Sequence, residues 1–174
     1  MYVSRFTRSR FKTRRKLPTL SNVQSQTSNF EIVEASWRDL GGVRRIEQEC
    51  FGSEAWPLLD ILAVLSLPGS IRLKAMVGTE IVGFVGGEVK GSERMGWVTT
   101  IGVLGAYRRR GIAAALLERC EKALGTHKVR LCVRQSNLSA LSLYWKFGYH
   151  QVDTWKRYYQ GGEDALVLER SLVK

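Results

Sequence analysis

Apolar residues recur along this chain at two spacings, every second position and every third or fourth. Between Phe30 and Leu172 the two alternate in a definite order. Phe30, Ile32 and Val33 predict a short strand. Ser36 follows as a helix N-cap with Asp39 three residues on, close to a capping box. Leu40, Val43, Ile46 and Cys50 then fall on one face of a helix over Trp37–Cys50, which Phe51-Gly52-Ser53 breaks. Pro57, favoured in a first turn, opens a second helix to Ser66, and Pro68-Gly69 turns the chain.

Strand spacing takes over next. Ile71–Val77 and Ile81–Glu88 flank Gly78-Thr79-Glu80 and predict a hairpin. Lys90-Gly91-Ser92-Glu93 predicts a second turn, and Gly96–Val103 is rich in β-branched residues. A long helix, Gly111–Leu124, closes at Gly125, and Val129–Val133 is another strand. Ser136 or Asn137 caps a helix from Leu138 to Phe147, with Gly148 at its C-terminus. Tyr149–Tyr158 and Ala165–Leu172 form a last strand pair around Gly161-Gly162. The order β-α-α-β-β-β-α-β-α-β-β, with no internal repeat, predicts one α/β domain over residues 30–174. Its sheet is mixed and mainly antiparallel, with helices on both faces.

Charge divides the chain. Of 27 basic residues, Arg5, Arg8, Arg10, Lys12, Arg14, Arg15 and Lys16 lie in the first thirty, where there is no acid. The remaining residues carry 20 basic and all 16 acidic groups, a mild +4 of the total +11. Residues 1–29 are rich in Arg, Ser, Thr, Gln and Asn and cannot bury enough apolar surface for a core. Three readings compete for this basic tail: a solvated extension, an arm neutralising phosphates of a nucleic acid or a ribosome, and an organelle transit segment. No apolar h-region follows the charges, which argues against a secretory signal.

The longest apolar stretch, Leu58–Leu67, is interrupted by Asp60 and Ser66 and falls short of the roughly 18 residues a membrane span needs. Three widely spaced cysteines, Cys50, Cys120 and Cys132, make neither a zinc pattern nor a disulfide framework. No metal is expected, and a reducing, cytoplasmic compartment fits best. Organelle import through the tail is the other outcome.

Candidate chemistry concentrates in Ile101-Gly-Val-Leu-Gly-Ala-Tyr-Arg-Arg-Arg-Gly-Ile-Ala-Ala-Ala-Leu-Leu, where an extended segment passes a tight basic loop into an apolar helix. The first turn of a helix leaves backbone N–H groups unpaired, and with the helix dipole they attract an anion such as a pyrophosphate. Gly111 lets the backbone come close, Ala113 and Ala114 keep the helix start free of bulk, and Arg108, Arg109 and Arg110 add positive charge. Neither Gly-Lys-Ser/Thr nor Gly-x-Gly-x-x-Gly occurs here. The plain alternative is a loop of solvated arginines before a core-facing helix.

Arg108-x-x-Gly111-x-Ala113 resembles the Gln/Arg-x-x-Gly-x-Gly/Ala signature of the GNAT (Gcn5-related) N-acetyltransferases, which cradles the pyrophosphate of acetyl-coenzyme A. Val133-Arg-Gln-Ser-Asn-Leu-Ser-Ala-Leu-Ser-Leu-Tyr-Trp-Lys-Phe-Gly-Tyr149 resembles the family's second signature, and Lys156–Ala165 a segment of the RimI-type ribosomal-protein-alanine N-acetyltransferases. The resemblance extends over roughly residues 30–172, nearly the whole globular part.

The resemblance implies acetyl-CoA as co-substrate, held by Ile101, Val103, Arg108–Arg110, Gly111, Ile112, Ala113, Ala114, Asn137 and Tyr144. It implies that the Val103 N–H polarises the thioester carbonyl and that Tyr144 is the general acid. Phe51 and Trp56, in the loop 51–57, together with Tyr158 and Tyr159, match the walls of the acceptor-peptide groove.

The base departs from the RimI pattern, which has a glutamate where this chain has Cys132. A thiol is a poor substitute, and a buried structural cysteine is the commoner case. Glu88 is the better candidate, ahead of Glu54 and Glu93. His127 is expected on the surface, and Glu163-Asp164 serve the turn. The acceptor implied is a protein N-terminal amine, with a ribosomal protein as one case. A small-amine acetyltransferase and a non-catalytic coenzyme-A-binding module with a nucleic-acid-associating tail stay open beside it.

Overall fold

The computed structural model describes residues 29–90 and 95–172. The tail up to residue 28, the turn at 91–94 and Glu93 with it lie outside the described residues. Seven strands form one sheet in the order β1-β2-β3-β4-β5-β7-β6. They are β1 (Glu31–Glu34), β2 (Ile71–Val77), β3 (Glu80–Lys90), β4 (Met95–Val103), β5 (Lys128–Arg134), β6 (His150–Trp155) and β7 (Ala165–Ser171). Every neighbouring pair is antiparallel except β4 and β5. The helices are α1 (Leu40–Phe51), α2 (Leu58–Ser66), α3 (Ile112–Leu124) and α4 (Leu138–Lys146). This is the expected mixed, mainly antiparallel α/β sheet in the expected order.

Glycines mark the two faces. A Cβ at Gly87 would meet Cys120 of α3 at 2.8 Å, and one at Gly102 would meet Ile46 of α1 at 2.9 Å. Side chains alternate along a strand, so α3 covers one face of the sheet and α1 with α2 the other. Ile101, Val103, Leu116, Leu131, Ala140 and Tyr144 belong to the cluster on the α3 face, which places α4 on that side. Val43, Ile46, Ile61, Leu65 and Phe84 form the core on the α1–α2 face.

Boundaries depart from expectation where side chains intervene. The Ser36 N–H donates to Asp39 Oδ2 at 2.8 Å, and Trp37–Asp39 wind as a 3-10 turn before α1 begins. Strand β6 stops at Trp155 rather than Tyr158. Asp164 accepts from the Arg157 N–H at 2.9 Å and from Lys156 at 2.8 Å, and Arg157 takes a positive φ of 50°. Tyr158 and Tyr159 therefore lie in a loop, and Tyr159 packs back against Cys132, Ala165 and Val167. Among the described residues no helix is long and apolar enough to cross a membrane.

Candidate active site

Strands β4 and β5 run in parallel only briefly. Gly96 faces Val129, Trp97 faces Arg130 and Val98 faces Leu131, and there their ladder ends. β4 continues to Val103 and β5 to Arg134, so the two strand ends diverge and leave a gap in the sheet. The β3–β4 register slips at this point: Gly86 faces Thr100 and Gly87 faces Val98, so Thr99 is the extra residue of a bulge. The Leu104 N–H bonds Val82 O across β3 at 2.9 Å. Alternation along the strand therefore turns the N–H groups of Ile101 and Val103 away from β3, toward the gap.

Each diverging strand leads to a helix N-terminus. After β4 the chain winds through Gly105–Tyr107, then Arg109 at φ 65° and Gly111 at φ 81°. Two left-handed residues so close together curl the backbone into a concavity of N–H groups, suited to an anion. The first helical bond here runs from the Ala115 N–H to Gly111 O at 3.0 Å. The N–H groups of Ile112, Ala113 and Ala114 thus have no carbonyl within their own helix. Gly111 is needed for its φ, because a Cβ there would meet nothing within 4 Å.

Two of the three arginines also bond locally. Arg108 turns back to donate from Nε to Val103 O at 3.0 Å and reaches Cys50 Sγ at 3.8 Å, so it braces the end of β4. Arg110 donates to Ala106 O at 3.1 Å and stacks over the Tyr107 ring at 5.0 Å. The concavity is thus built of main chain, while the Arg108 side chain is tied to Val103 O at the edge of the gap and Arg110 to Ala106 O.

After β5, Asn137 caps α4 by accepting the Ala140 N–H at 3.2 Å, so its oxygen is committed to its own helix. Two turns on, Tyr144 is fully buried, its ring edge-on to Tyr149 at 5.7 Å. The Tyr149 hydroxyl donates to Glu121 of α3 at 2.7 Å, and Arg170 reaches the other Glu121 oxygen at 2.7 Å. These contacts lock α3, α4 and β7 around Tyr144.

The α1–α2 face carries a second constellation. Trp97 stacks with Trp155 at 6.0 Å, Trp155 meets Tyr158 at 5.2 Å, and Tyr158 meets Tyr159 at 5.2 Å. This aromatic row crosses β4, β6 and the loop after β6, over Cys132. Glu88 is the cross-strand partner of Trp97 on the same face. Its Oε1 is buried and makes no hydrogen bond among the described residues, with Lys90 Nζ 3.5 Å away. Burial pushes its carboxyl above the ordinary glutamate value. Thr99 Oγ1, at the bulge, is likewise buried without a hydrogen bond there. Cys132 is completely buried, and burial, with Asp153 nearby, drives its thiol up to about 12. A thiol raised in this way is a weaker candidate for the base than Glu88.

Charged residues that sequence reasoning ranked low or passed over tie this face together. Arg134, at the end of β5, pairs with Glu54 in the α1–α2 loop and donates to Glu163 at 2.6 Å. Its guanidinium also lies 4.1 Å over the Tyr159 ring. Glu54 Oε1 accepts the Gln160 N–H at 2.9 Å. Through this latch Trp56, with Phe51 at the end of α1, faces the loop holding Tyr158 and Tyr159 across the strand ends. Phe51 and Trp56 are half-buried against the α1–α2 core. His127 and His150 are exposed. Among the described residues no group of His, Cys, Asp and Glu could hold a metal ion.

Comparisons with known proteins agree with this arrangement. Residues 37–149 match the model of the "Acetyltransferase (GNAT) family". An N-alpha-acetyltransferase of Saccharolobus solfataricus is 35% identical over 158 residues, covering 83% of this chain and 94% of that protein. The crystal structure of Ard1 from Thermoplasma volcanium superposes with a TM-score of 0.72 at 26% identity, covering 84% of this chain and 99% of that one. The ribosomal-protein-S18-alanine N-acetyltransferase of Escherichia coli superposes with a TM-score of 0.73 at 24% identity, covering 83% and 96%. At that identity the likeness is one of fold.

Proposed function

The chain belongs to the acetyltransferase (GNAT) family, and from that membership we propose that it moves the acetyl group of acetyl-CoA to the α-amine at the N-terminus of a protein. It is an acetyl-CoA-dependent N-acetyltransferase, and its fold is that of the RimI-type enzyme. The observation that carries the reading is the gap opened where the β4–β5 ladder ends at Val98 and Leu131. A main-chain anion site lies at one side of this gap, and a walled aromatic face lies beside it.

In this reading the pyrophosphate of acetyl-CoA lies on the N–H groups of residues 109–114, and the thioester enters the gap. The Val103 N–H, with Ile101 along the same edge, donates to the thioester oxygen as it becomes an oxyanion. The acceptor nitrogen attacks the carbonyl carbon and the carbon–sulfur bond breaks. Tyr144 gives its proton to the departing sulfur, and Glu88 takes the proton shed by the amine, directly or through water. Its raised carboxyl, with no hydrogen bond to Oε1 and only Lys90 paired with it among the described residues, suits that task. Asn137 would approach the substrate through its amide nitrogen.

A groove between two aromatic-bearing loops favours an extended peptide over a small amine. Phe51 and Trp56 supply one wall, Tyr158 and Tyr159 the other, and Arg134 with Glu54 sets the span. The relative from Saccharolobus solfataricus carries the same activity in its name. Ribosomal proteins are one acceptor class, with the basic residues 5–16 steering the enzyme to a ribosome. That contribution would weaken as salt rises. The three cysteines carry no disulfide, in keeping with a cytoplasmic setting.

A panel of short peptides beginning with Ala, Ser or Met, incubated with acetyl-CoA and read by mass spectrometry, tests the reading. Single acetylation at the free terminus, absent from terminally blocked peptides, is expected. Turnover of small amines with no peptide product would overturn it.

A further inference from the structure

Glu47 stands in the middle of α1 and is only 1% exposed. Its buried neighbours at helical spacing, Val43, Ile46 and Cys50, are apolar, and the same helix face packs against Ile61, Leu65 and Phe84. A carboxylate in such a place loses its hydration and is held only by the hydrogen bonds made to it. The core does not call for a glutamate here.

Its hydrogen bonds lead out of the helix. Oε1 accepts from Thr100 Oγ1 at 2.7 Å, on the stretch of β4 beyond the end of the β4–β5 ladder. Oε2 accepts the backbone N–H of Trp56 at 3.2 Å. Between Glu47 and Trp56 the chain turns through Gly52 at φ 58°, so the loop doubles back on α1. The carboxylate bridges that returning loop to the central strand. Glu54 ties the same loop from its other side, through Arg134 and the Gln160 N–H.

We infer that Glu47 is a positioning residue for the acceptor: it holds the Trp56 wall of the groove at a set distance from β4, beside the Thr99 bulge. The inference rests on the acceptor-groove reading above and adds a residue to it. Glu47 touches neither substrate, and it acts through Trp56 and Thr100. The anion site at the start of α3 lies across the sheet, so acetyl-CoA binding should not sense its loss.

The full chain carrying Glu47→Leu tests this. It should lower the Tm somewhat, because Thr100 Oγ1 and the Trp56 N–H lose their acceptor, leave the KM for acetyl-CoA unchanged, and raise the KM for an N-terminal peptide about tenfold, the factor that ~1.4 kcal/mol represents. Glu47→Gln keeps one acceptor oxygen and should fall between wild type and Glu47→Leu. Thr100→Val removes one donor and leaves the carboxylate on Trp56, so its peptide KM should rise less than that of Glu47→Leu. These two variants carry the test if Glu47→Leu fails to fold. An unchanged peptide KM in the folded variants would overturn the inference, as would a parallel rise in both KM values. Wild-type turnover is the control. If the wild type acetylates no peptide, the acceptor reading falls and Glu47's role with it. If the wild type is active and the variants match it, only the role of Glu47 falls.

Discussion

The two sides of the gap are built from different material. At the start of α3 the proposed binding surface is main chain: Arg109 and Gly111 set its curvature through positive φ values, and Arg108 and Arg110 bond back to Val103 O and Ala106 O. On the α1–α2 face the surface is side chain: an aromatic row, the half-buried carboxylate of Glu88, and a latch of Arg134 with Glu54 and Glu163. A ligand common to a whole family, such as a pyrophosphate, can be held by a backbone shape that few residues dictate. An acceptor that differs between enzymes must be met by side chains, which vary freely. The first region should tolerate few substitutions and fail completely, whereas the second should fail by degrees.

The largest effect is expected at Gly111. Trp there would take an unfavourable left-handed φ and cover the first turn of α3. With acetyl-CoA a hundredfold above Kd, binding should stabilise the wild type by about 2.7 kcal/mol. At roughly 2–4 °C per kcal/mol, the melting temperature should rise by roughly 5–10 °C. Gly111→Trp should show no such rise, while melting cooperatively without ligand. A normal rise would remove the pyrophosphate from this site and break the comparison at its stronger end.

Tyr144→Phe should come next. The ring stays packed against Tyr149 and the proton is lost. Turnover should fall by roughly 10²–10⁴-fold, the usual range for an acid or base, with acetyl-CoA affinity close to normal. Wild-type turnover with chemistry rate-limiting would exclude Tyr144 as the acid.

What was legible in the sequence follows the same division. All eleven regular elements could be ordered from apolar spacing, and β2, over Ile71–Val77, matched to the residue. The basic loop and Gly111 were visible because a left-handed glycine before an apolar helix is a local pattern. Glu47 was not visible. At helical spacing it reads as one charged position in α1, and its value depends on Thr100, 53 residues away, and on a loop that doubles back. Arg134 was quoted only as part of a signature, and its partners Glu54 and Glu163 come from separate loops. The bond of Arg108 to Val103 O was not legible for a related reason, since it is a tertiary contact. The end of β6 was missed because Asp164, across the turn, captures Arg157.

The base sharpens the comparison further. Glu88→Gln should lower turnover by roughly 10²-fold, and Cys132→Ala by much less, because that thiol is not ionised near neutrality. A base works deprotonated, and burial raises the Glu88 carboxyl. Turnover should therefore fall as pH drops through a value above the ordinary glutamate range. In Glu88→Gln that limb should flatten. The reverse order of the two variants would move the base to Cys132 or to something it orders.

The smallest effect, and the one that separates catalysis from groove geometry, concerns the latch. Arg134→Lys keeps the charge but cannot bridge Glu54 and Glu163 with one planar fork. Peptide KM should rise roughly fivefold, about 1 kcal/mol, with acetyl-CoA KM unchanged. Its pH dependence should run apart from that of Glu88. Burial pushes the Glu163 carboxyl up, but hydrogen bonds from Ser136 and Arg134 outweigh it and the net shift is downward. A carboxyl lowered by folding contributes stability that is fully present above its unfolded value and lost as pH falls through its folded one. Between neutrality and the ordinary carboxylate range the latch therefore stays closed while Glu88 is already taking up its proton. Turnover should decline first with peptide KM flat, and KM should climb only at lower pH. A KM that rises together with the first loss of turnover would mean that Glu88 helps to hold the peptide, and the groove and the base would then be one device rather than two.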